Sequence, residues 1–442
     1  MNVVIIGGDA AGMSAAMQVV RAQPDWKVTV LEKGAIYSYA QCGLPYYIGG
    51  IVKERDDLIA RAREVFQEEH GIDARIYHEV QDVDGENQIV KGIVTDSGEP
   101  FEVAYDKLLI ASGASPVFPS FDGSELEGIH VLKTIPDAEK IVTDMQEDVL
   151  NVTVVGGGYI GLEVAENFVE QGKKVRIIDL SERLGTVYDE EISEFIQKEA
   201  EAKGIELVLG ESVKSFEGDQ RVELIQTDQG EYRADMVIVA IGVKPNSDFV
   251  KNTGMHLHET GAIVVNPYME TSVKNIYAAG DCATQYHRLK EKNDYIPLGT
   301  HANKQGRVAG SNIAGNTKTF KGMVGTSIVK FFDLTIGKTG LGENEAKELE
   351  IDYEVIGFET APHASYYPGD NPLFMRMIKH KQTDQLLGVQ AVGKSGVDKR
   401  IDVAATALYH RMTTEDMENL DISYAPPYNS TWDPLQQGAR RL

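Results

Sequence analysis

The chain has 442 residues, and at roughly 150 residues per domain this leaves room for about three domains. It carries 43 Lys+Arg against 68 Asp+Glu, a formal net charge of −25. A surface that acidic repels phosphate backbones and anionic lipid, which argues against nucleic acid or a membrane as partner. No apolar run approaches the ~20 residues needed to cross a bilayer. The N-terminus starts a strand at once, with no basic and cleavable leader, so the expected location is cytoplasmic. Two cysteines, Cys42 and Cys282, make neither a disulfide framework nor a thiolate metal site, and no metal is expected. Glycine is in excess at 43 residues, against a usual share of about 7%.

In chain order, Val3-Val4-Ile5-Ile6 predicts a strand buried on both faces of a parallel sheet. Gly7-Gly8 breaks it, a helix is predicted over Ala11–Arg21, and Val28–Leu31 forms the next strand, running into Glu32. The same plan returns from Asn151: strand Val152–Val155, glycines 156 to 158, helix Tyr159–Gln171, and strand Val175–Ile178, running into Asp179. A unit repeated after about 150 residues is an internal duplication of a βαβ module. Apolar strands ending in small residues follow at Tyr105–Gly113, Asp235–Gly242 and Asn275–Asp281. From about Met323 the pattern changes to longer alternating strands, a hairpin through Lys381–Asp384, a helix over Asp402–Arg411 and a proline-rich tail. These predict a third domain of α+β type.

Gly156-Gly157-Gly158-Tyr159-Ile160-Gly161 is a complete G-x-G-x-x-G between strand and helix. The glycines permit the tight turn, the approach of a pyrophosphate and close helix–strand packing, and the helix N-terminus receives the anion. The first module reads Gly7-Gly8-Asp9-Ala10-Ala11-Gly12, with Asp9 in place of the second glycine. An acid beside a pyrophosphate is unfavourable unless it points away. Glu32 lies 20 residues after Gly12 and Asp179 lies 18 after Gly161, the spacing of acids that grip a ribose hydroxyl. Two dinucleotide sites in one chain suggest a resident flavin and an exchangeable nicotinamide, with hydride passing between them.

On these motifs the whole chain resembles the two-dinucleotide-binding-domain flavoproteins of the pyridine nucleotide–disulfide oxidoreductases. The resemblance implies an α/β fold class: two Rossmann-like domains, for FAD and NAD(P), plus a C-terminal α+β dimerisation domain. The implied boundaries are 1–115 with 247–322 for FAD, 116–246 for NAD(P)H, and 323–442 for dimerisation. FAD would be held by Gly7, Asp9, Ala11, Gly12, Glu32, Lys33, Ser112, Gly113 and Ala302, with Asp281 on its ribityl chain. NADH or NADPH would be held by Gly156, Gly158, Tyr159, Ile160, Gly161, Asp179 and Gly242, with Glu163 near the nicotinamide. Asp179 favours NADH because an acid repels a 2′-phosphate, whereas Ser181 and Arg183 leave NADPH open.

Cys42 sits in Ser38–Tyr47, and Pro45 is placed to open a short helix whose N-terminal field would favour the thiolate. Gly43-Leu44-Pro45 offers no second thiol. Cys42 is therefore expected to cycle against an external sulfur or oxygen, as a mixed disulfide, a persulfide or a sulfenic acid. Cys282 is read as inert. The single-cysteine pattern resembles the subgroup of coenzyme A disulfide reductases, NADH oxidases and NADH peroxidases. Ala10 stands where the oxidases and peroxidases place a His. His363–Gly369 resembles the reductase segment carrying one catalytic tyrosine, which leaves both Tyr366 and Tyr367. Asp421–Pro427 resembles the segment carrying another, Tyr424, contributed across a homodimer. Gln41 departs from the Asn more usual before the cysteine. Arg21, Arg61, Arg63 and Arg307 are candidates for pairing with the phosphates of coenzyme A, and Ser38, Gln41, Asn303 and Arg307 would line the mouth of the thiol site. The chain, ending at Leu442, is expected to lack the rhodanese-like domain of fused members. The implied activity is reduction of coenzyme A disulfide, or a related persulfide, by NAD(P)H through FAD and a Cys42 mixed disulfide with coenzyme A. The alternatives are an NADH oxidase or peroxidase using a Cys42 sulfenic acid, and a non-catalytic redox sensor.

Overall fold

The computed structural model describes residues 1–145, 148–369 and 371–442. The chain opens with β1 (Asn2–Ile6), α1 (Ala10–Ala22), β2 (Lys27–Leu31), the short α2 (Leu44–Ile48), β3 (Asp73–Arg75) and β4 (Lys107–Ile110). The second copy of the plan comprises β5 (Ile129–His130), α3 (Ile135–Asp144), β6 (Asn151–Val155), α4 (Tyr159–Glu170), β7 (Lys174–Asp179), α5 (Glu190–Ala202), β8 (Glu206–Leu209) and β9 (Met236–Val239). Then β10 (Ile276–Ala278) returns to pair with β4, and α6 (Gly299–Ile313) follows. The two parallel sheets run β10-β4-β1-β2-β3 and β8-β7-β6-β9-β5. Each central strand is buried on both faces, against helices on one side and a three-stranded antiparallel sheet on the other, formed by His78–Asp84, Ile89–Val94 and Pro100–Ala104 in the first unit and by Val213–Glu217, Leu224–Thr227 and Glu231–Arg233 in the second. In register, Ile5 lies between Val30 and Leu109, and Val154 between Ile177 and Ile238.

Two crossing segments join these units. Val243–Pro245 pairs antiparallel with Ala114–Pro116. Beside them, the Ser112 hydroxyl donates to the Asn246 carbonyl at 2.6 Å, and the Asn246 amide donates to Gly113. Within the first unit α1 and α6 run side by side with almost no gap. A Cβ on Gly306 would lie 2.2 Å from the Ala11 carbonyl oxygen, and one on Gly310 would lie 2.5 Å from that of Ala15. Only glycine allows that approach.

The third unit is an antiparallel sheet of β11 (Ser327–Phe331), β12 (Leu334–Gly340), β13 (Tyr353–Thr360), β14 (Leu373–His380) and β15 (Leu386–Gly393), in the order β11-β12-β15-β14-β13. Helix α7 (Val397–Tyr409) packs on β12 and β15, and α8 (Pro434–Ala439) lies against it. The hairpin between β14 and β15 turns where the sequence predicts it. The helix expected over Asp402–Arg411 instead begins at Val397. Gly396, with φ +74°, starts it, and the buried Arg400 breaks the apolar pattern of its first turn. Among the described residues no helix is long and apolar enough to cross a membrane, and no group of three His, Cys, Asp or Glu could hold a metal ion.

Candidate active site

The two glycine turns are built alike. Gly7 and Gly156 take φ of +104° and +108°. A Cβ on Gly12 or Gly161 would lie 1.9 Å from the carbonyl oxygen of Gly7 or Gly156, so each helix starts as close to its strand as a backbone permits. The two terminal acids also match. Glu32 accepts the amides of Gly8 at 2.8 Å and Gly34 at 2.7 Å. Asp179 accepts those of Gly157 at 2.6 Å and Ser181 at 2.7 Å. Gly158 and Gly242 face open space, where a Cβ would meet no protein atom. The second turn therefore leaves the cradle that a pyrophosphate and ribose require. Tyr159 is tied back by its hydroxyl to the Ser327 hydroxyl at 2.7 Å and stands edge-on to Tyr188, while Ile160 is half-buried. Arg183 lines a 320 Å³ recess whose other charged members are mainly carboxylates, among them Asp189, Glu190 and Glu191.

Asp9 points away from its own turn. Its carboxylate accepts the amide of Tyr39 at 3.2 Å and the Nε2 of Gln41 at 2.8 Å. Ser38, at φ +47°, donates its amide to the Gly8 carbonyl, and its own carbonyl receives the amides of Ala60 and Arg61. Ser38, Gln41 and Arg61 thus belong to one loop cluster fastened to the first turn. Arg61 lies over the Phe66 ring and Arg63 pairs with Glu64. Lys33 is exposed.

Cys42 occupies a single 3-10 turn, Gln41–Gly43, which runs into α2 with Pro45 in its first turn. The residue is exposed. The expected thiolate-favouring field does not win. Packing around the sulfur pushes the thiol up, Glu163 pushes it further, and Lys133 pulls it down. Glu163 comes from α4 of the second unit, and burial beside Glu166 pushes it up to about 7. The Nζ of Lys133 meets Asp281 Oδ2 at 3.2 Å, with both side chains mostly buried. Two units therefore converge on one sulfur. Sequence reasoning missed Lys133, whose only local signal is that it precedes the Thr134/Asp137 capping box of α3. Cys282 is fully buried and its thiol donates to the carbonyls of Ile110 and Ala279, so it is a packed bystander.

On the α1–α6 face, the Nδ2 of Asn303 donates to the Ser14 hydroxyl at 2.9 Å. Arg307 lies one turn further along α6, and Arg21 ends the same face of α1; both are exposed. Ala302 is buried, near the point where Gly280 passes Ala11.

In the third unit Tyr366 and Tyr424 hydrogen-bond hydroxyl to hydroxyl at 3.0 Å. They are 73% and 50% exposed. Tyr367 stands edge-on to His363. Arg400, 1% exposed, fastens the two tyrosine segments beneath them. Its guanidinium donates to the carbonyl of Pro362, to Asn429 Oδ1 and to the carboxylate of Asp433.

Residues 1–306 match the family described as pyridine nucleotide-disulphide oxidoreductase, and residues 326–435 match its dimerisation domain. The chain belongs to this family of α/β enzymes, which implies FAD and NAD(P)H as cofactors. It is 45% identical over 445 residues to the NAD(P)H sulfur oxidoreductase (CoA-dependent) of Pyrococcus furiosus, covering 100% of this chain and 99% of that one. It is 34% identical to the coenzyme A disulfide reductase of Staphylococcus haemolyticus, covering 98% and 97% of the two chains. The solved NAD-dependent persulfide reductase of A. fulgidus superposes with a TM-score of 0.96 at 37% identity, over 100% of this chain and 83% of that one.

Proposed function

We propose that the protein is an NAD(P)H-dependent, FAD-containing reductase of coenzyme A disulfide or a coenzyme A persulfide, acting through Cys42 as a homodimer in the cytoplasm. The observation that carries this reading is an exposed thiol set between Glu163 of one nucleotide unit and Asp281 of the other, with the second cysteine buried elsewhere. Residues 1–115 with 247–322 form the FAD domain, 116–246 the NAD(P)H domain and 323–442 the dimerisation domain.

The turn Gly7–Gly12, Glu32, Lys33, the Ser112-Gly113 crossover, Asp281 and the start of α6 at Ala302 hold FAD. The turn from Gly156 to Gly161, Asp179 and Gly242 hold the reductant, with NADH preferred because the Asp179 carboxylate repels a 2′-phosphate. Bound there, the flavin would supply a two-electron relay between the nicotinamide and the Cys42 sulfur.

Cys42 thiolate attacks one sulfur of the disulfide. A Cys42–coenzyme A disulfide forms, and the other half leaves as a thiolate. An electron pair from NAD(P)H then splits the mixed disulfide into Cys42 thiolate and a second coenzyme A, which takes up a proton. The balance is one disulfide, one NAD(P)H and one proton converted to two thiols and NAD(P)⁺. Tyr424 and its partner Tyr366, or the adjacent Tyr367, reach the thiol site across the dimer and hydrogen-bond or protonate the departing sulfur. Arg21, Arg61, Arg63 and Arg307 face the phosphates, and Ser38, Gln41 and Asn303 line the approach to the thiol.

The test is Cys42→Ser. Loss of disulfide turnover with flavin retained supports the reading, and full activity refutes it. Fast four-electron oxygen consumption by the wild type with NADH alone would favour an oxidase working through a Cys42 sulfenic acid. A dithiothreitol-sensitive adduct of coenzyme A mass on Cys42 would favour the reductase.

A further inference from the structure

Two departures of the sequence from the resembled pattern meet in space. Asp9 stands where the glycine turn has its second glycine, and Gln41 stands where Asn is usual before the cysteine. Asp9 Oδ2 accepts from Gln41 Nε2 at 2.8 Å while Oδ1 accepts from the Tyr39 amide at 3.2 Å. Resting on the reading above, we propose that Asp9 is a positioning residue of the thiol site, which through Gln41 fixes the turn carrying Cys42.

A carboxylate only accepts hydrogen bonds, so the amino end of the Gln41 amide must face it. The carboxamide oxygen is then turned away from Asp9, which removes the flip otherwise open to a glutamine. An Asn at position 41 is one methylene shorter and does not span the same gap. Asp9 and Gln41 therefore make sense as a pair. The Ser38 amide, bound to the Gly8 carbonyl at 3.0 Å, adds a second tie between the same two segments. The glycine turn and the thiol loop thus form one rigid piece, so a shift at either is felt at the sulfur.

Burial pushes Asp9 up to about 6, and the neighbouring Glu32 adds to the rise. The other titratable group facing it is the Tyr39 phenol, while Glu163, Lys133 and Asp281 act on Cys42 itself. Protonation of Asp9 would let it donate, and the Gln41 amide would then be free to reverse.

The experiment uses flavin-loaded wild type, Asp9→Ala, Asp9→Asn, Gln41→Ala and the Asp9→Ala/Gln41→Ala double variant. Three quantities are read: bound flavin by absorbance, the pH profile of Cys42 alkylation by iodoacetamide, and kcat and KM for coenzyme A disulfide. Asp9→Ala and Gln41→Ala are each expected to raise KM about tenfold, the loss of one hydrogen bond to a charged group. Gln41→Ala keeps its flavin, and both variants move the alkylation profile in the same direction. Asp9→Asn restores part of the loss, and the double variant is no worse than either single one. Additive losses in the double variant overturn the proposal, as does loss of flavin with an unchanged alkylation profile. If Asp9→Ala does not fold, unaltered alkylation in both Asp9→Asn and Gln41→Ala overturns it equally. A wild type that ignores coenzyme A disulfide while the alkylation profiles still move together refutes the substrate and leaves the role of Asp9 standing.

Discussion

The ammonium of Lys133 lies 3.2 Å from the carboxylate of Asp281, and this bridge joins the two nucleotide units beside Cys42. It holds a positive charge next to a sulfur whose other charged neighbours, Glu163 and Asp281, are both acids. Lys133→Met removes that charge and leaves Asp281 without its partner. The Cys42 thiol should rise further, and its alkylation at pH 8 should slow several-fold. Folding stability should fall by about 1–3 kcal/mol, the cost of stranding a mostly buried charge. Iodoacetamide kinetics and urea midpoints measure the two effects separately, and an unchanged alkylation rate would remove Lys133 from the site.

Glu163 acts in the opposite sense. Its carboxylate raises the Cys42 thiol, so Glu163→Gln should speed alkylation at pH 8. Burial raises Glu163 itself from 4.5 to about 7. A carboxyl raised on folding stabilises the native state fully below its unfolded value, and that contribution is lost as the pH climbs through its folded value. The window is therefore about pH 4.5 to 7. Glu163→Gln should be more stable than wild type at pH 8 and gain nothing at pH 4. Denaturant midpoints at the two pH values check the sign.

Asp179 spends both oxygens on backbone amides of Gly157 and Ser181, which shapes the loop proposed to meet the reductant's ribose. Asp179→Ala leaves those amides unpaired and removes the charge that opposes a 2′-phosphate. The expected result is a KM for NADH raised about tenfold, with a smaller change for NADPH. Steady-state kinetics with both nucleotides test this, and an unchanged ratio of the two efficiencies would refute it.

The duplicated βαβ units were legible because their signals are local. Gly7 and Gly156 are dictated by the positive φ of the turn, Gly12 and Gly161 by backbone contact with those first glycines, and Glu32 and Asp179 follow at fixed spacing. Pro45 likewise marked the helix after Cys42. What the sequence hid lies between segments distant along the chain. Asp9 reads as a defect in a phosphate turn, whereas its carboxylate accepts the Gln41 amide from a loop some thirty residues on. Lys133 carries no motif, since its meaning comes from Asp281, 148 residues away. The thiol's setting was misjudged for the same reason: the helix was visible nearby, whereas Glu163 belongs to another unit. The helix predicted from Asp402 starts earlier, at Val397, because Arg400 interrupts the apolar pattern and its partner Asp433 lies 33 residues further on.

Arg400 and Asp433, each 1% exposed, form the most deeply buried ion pair around the tyrosine segments. Arg400 also satisfies the Pro362 carbonyl and Asn429, while Asp433 caps α8 through the Leu435 amide at 2.9 Å. Removing Arg400 leaves the buried carboxylate nearly unpaired, with Lys399 Nζ 3.9 Å away as its remaining cation, so Arg400→Met should cost about 3 kcal/mol. The Arg400→Met/Asp433→Asn double variant removes the stranded charge and keeps a capping oxygen. It should recover a large part of that loss, because the penalty lies in the unpaired carboxylate rather than in a missing attraction. The two tyrosine segments would still lack their shared anchor. The double variant should therefore fold yet lose the Tyr366–Tyr424 pairing, with disulfide turnover falling more than tenfold while NADH still reduces the bound flavin at its normal rate. Urea denaturation, stopped-flow flavin bleaching and steady-state turnover separate these outcomes. Normal turnover in a folded double variant would show that the pair stabilises the third unit without placing the tyrosines.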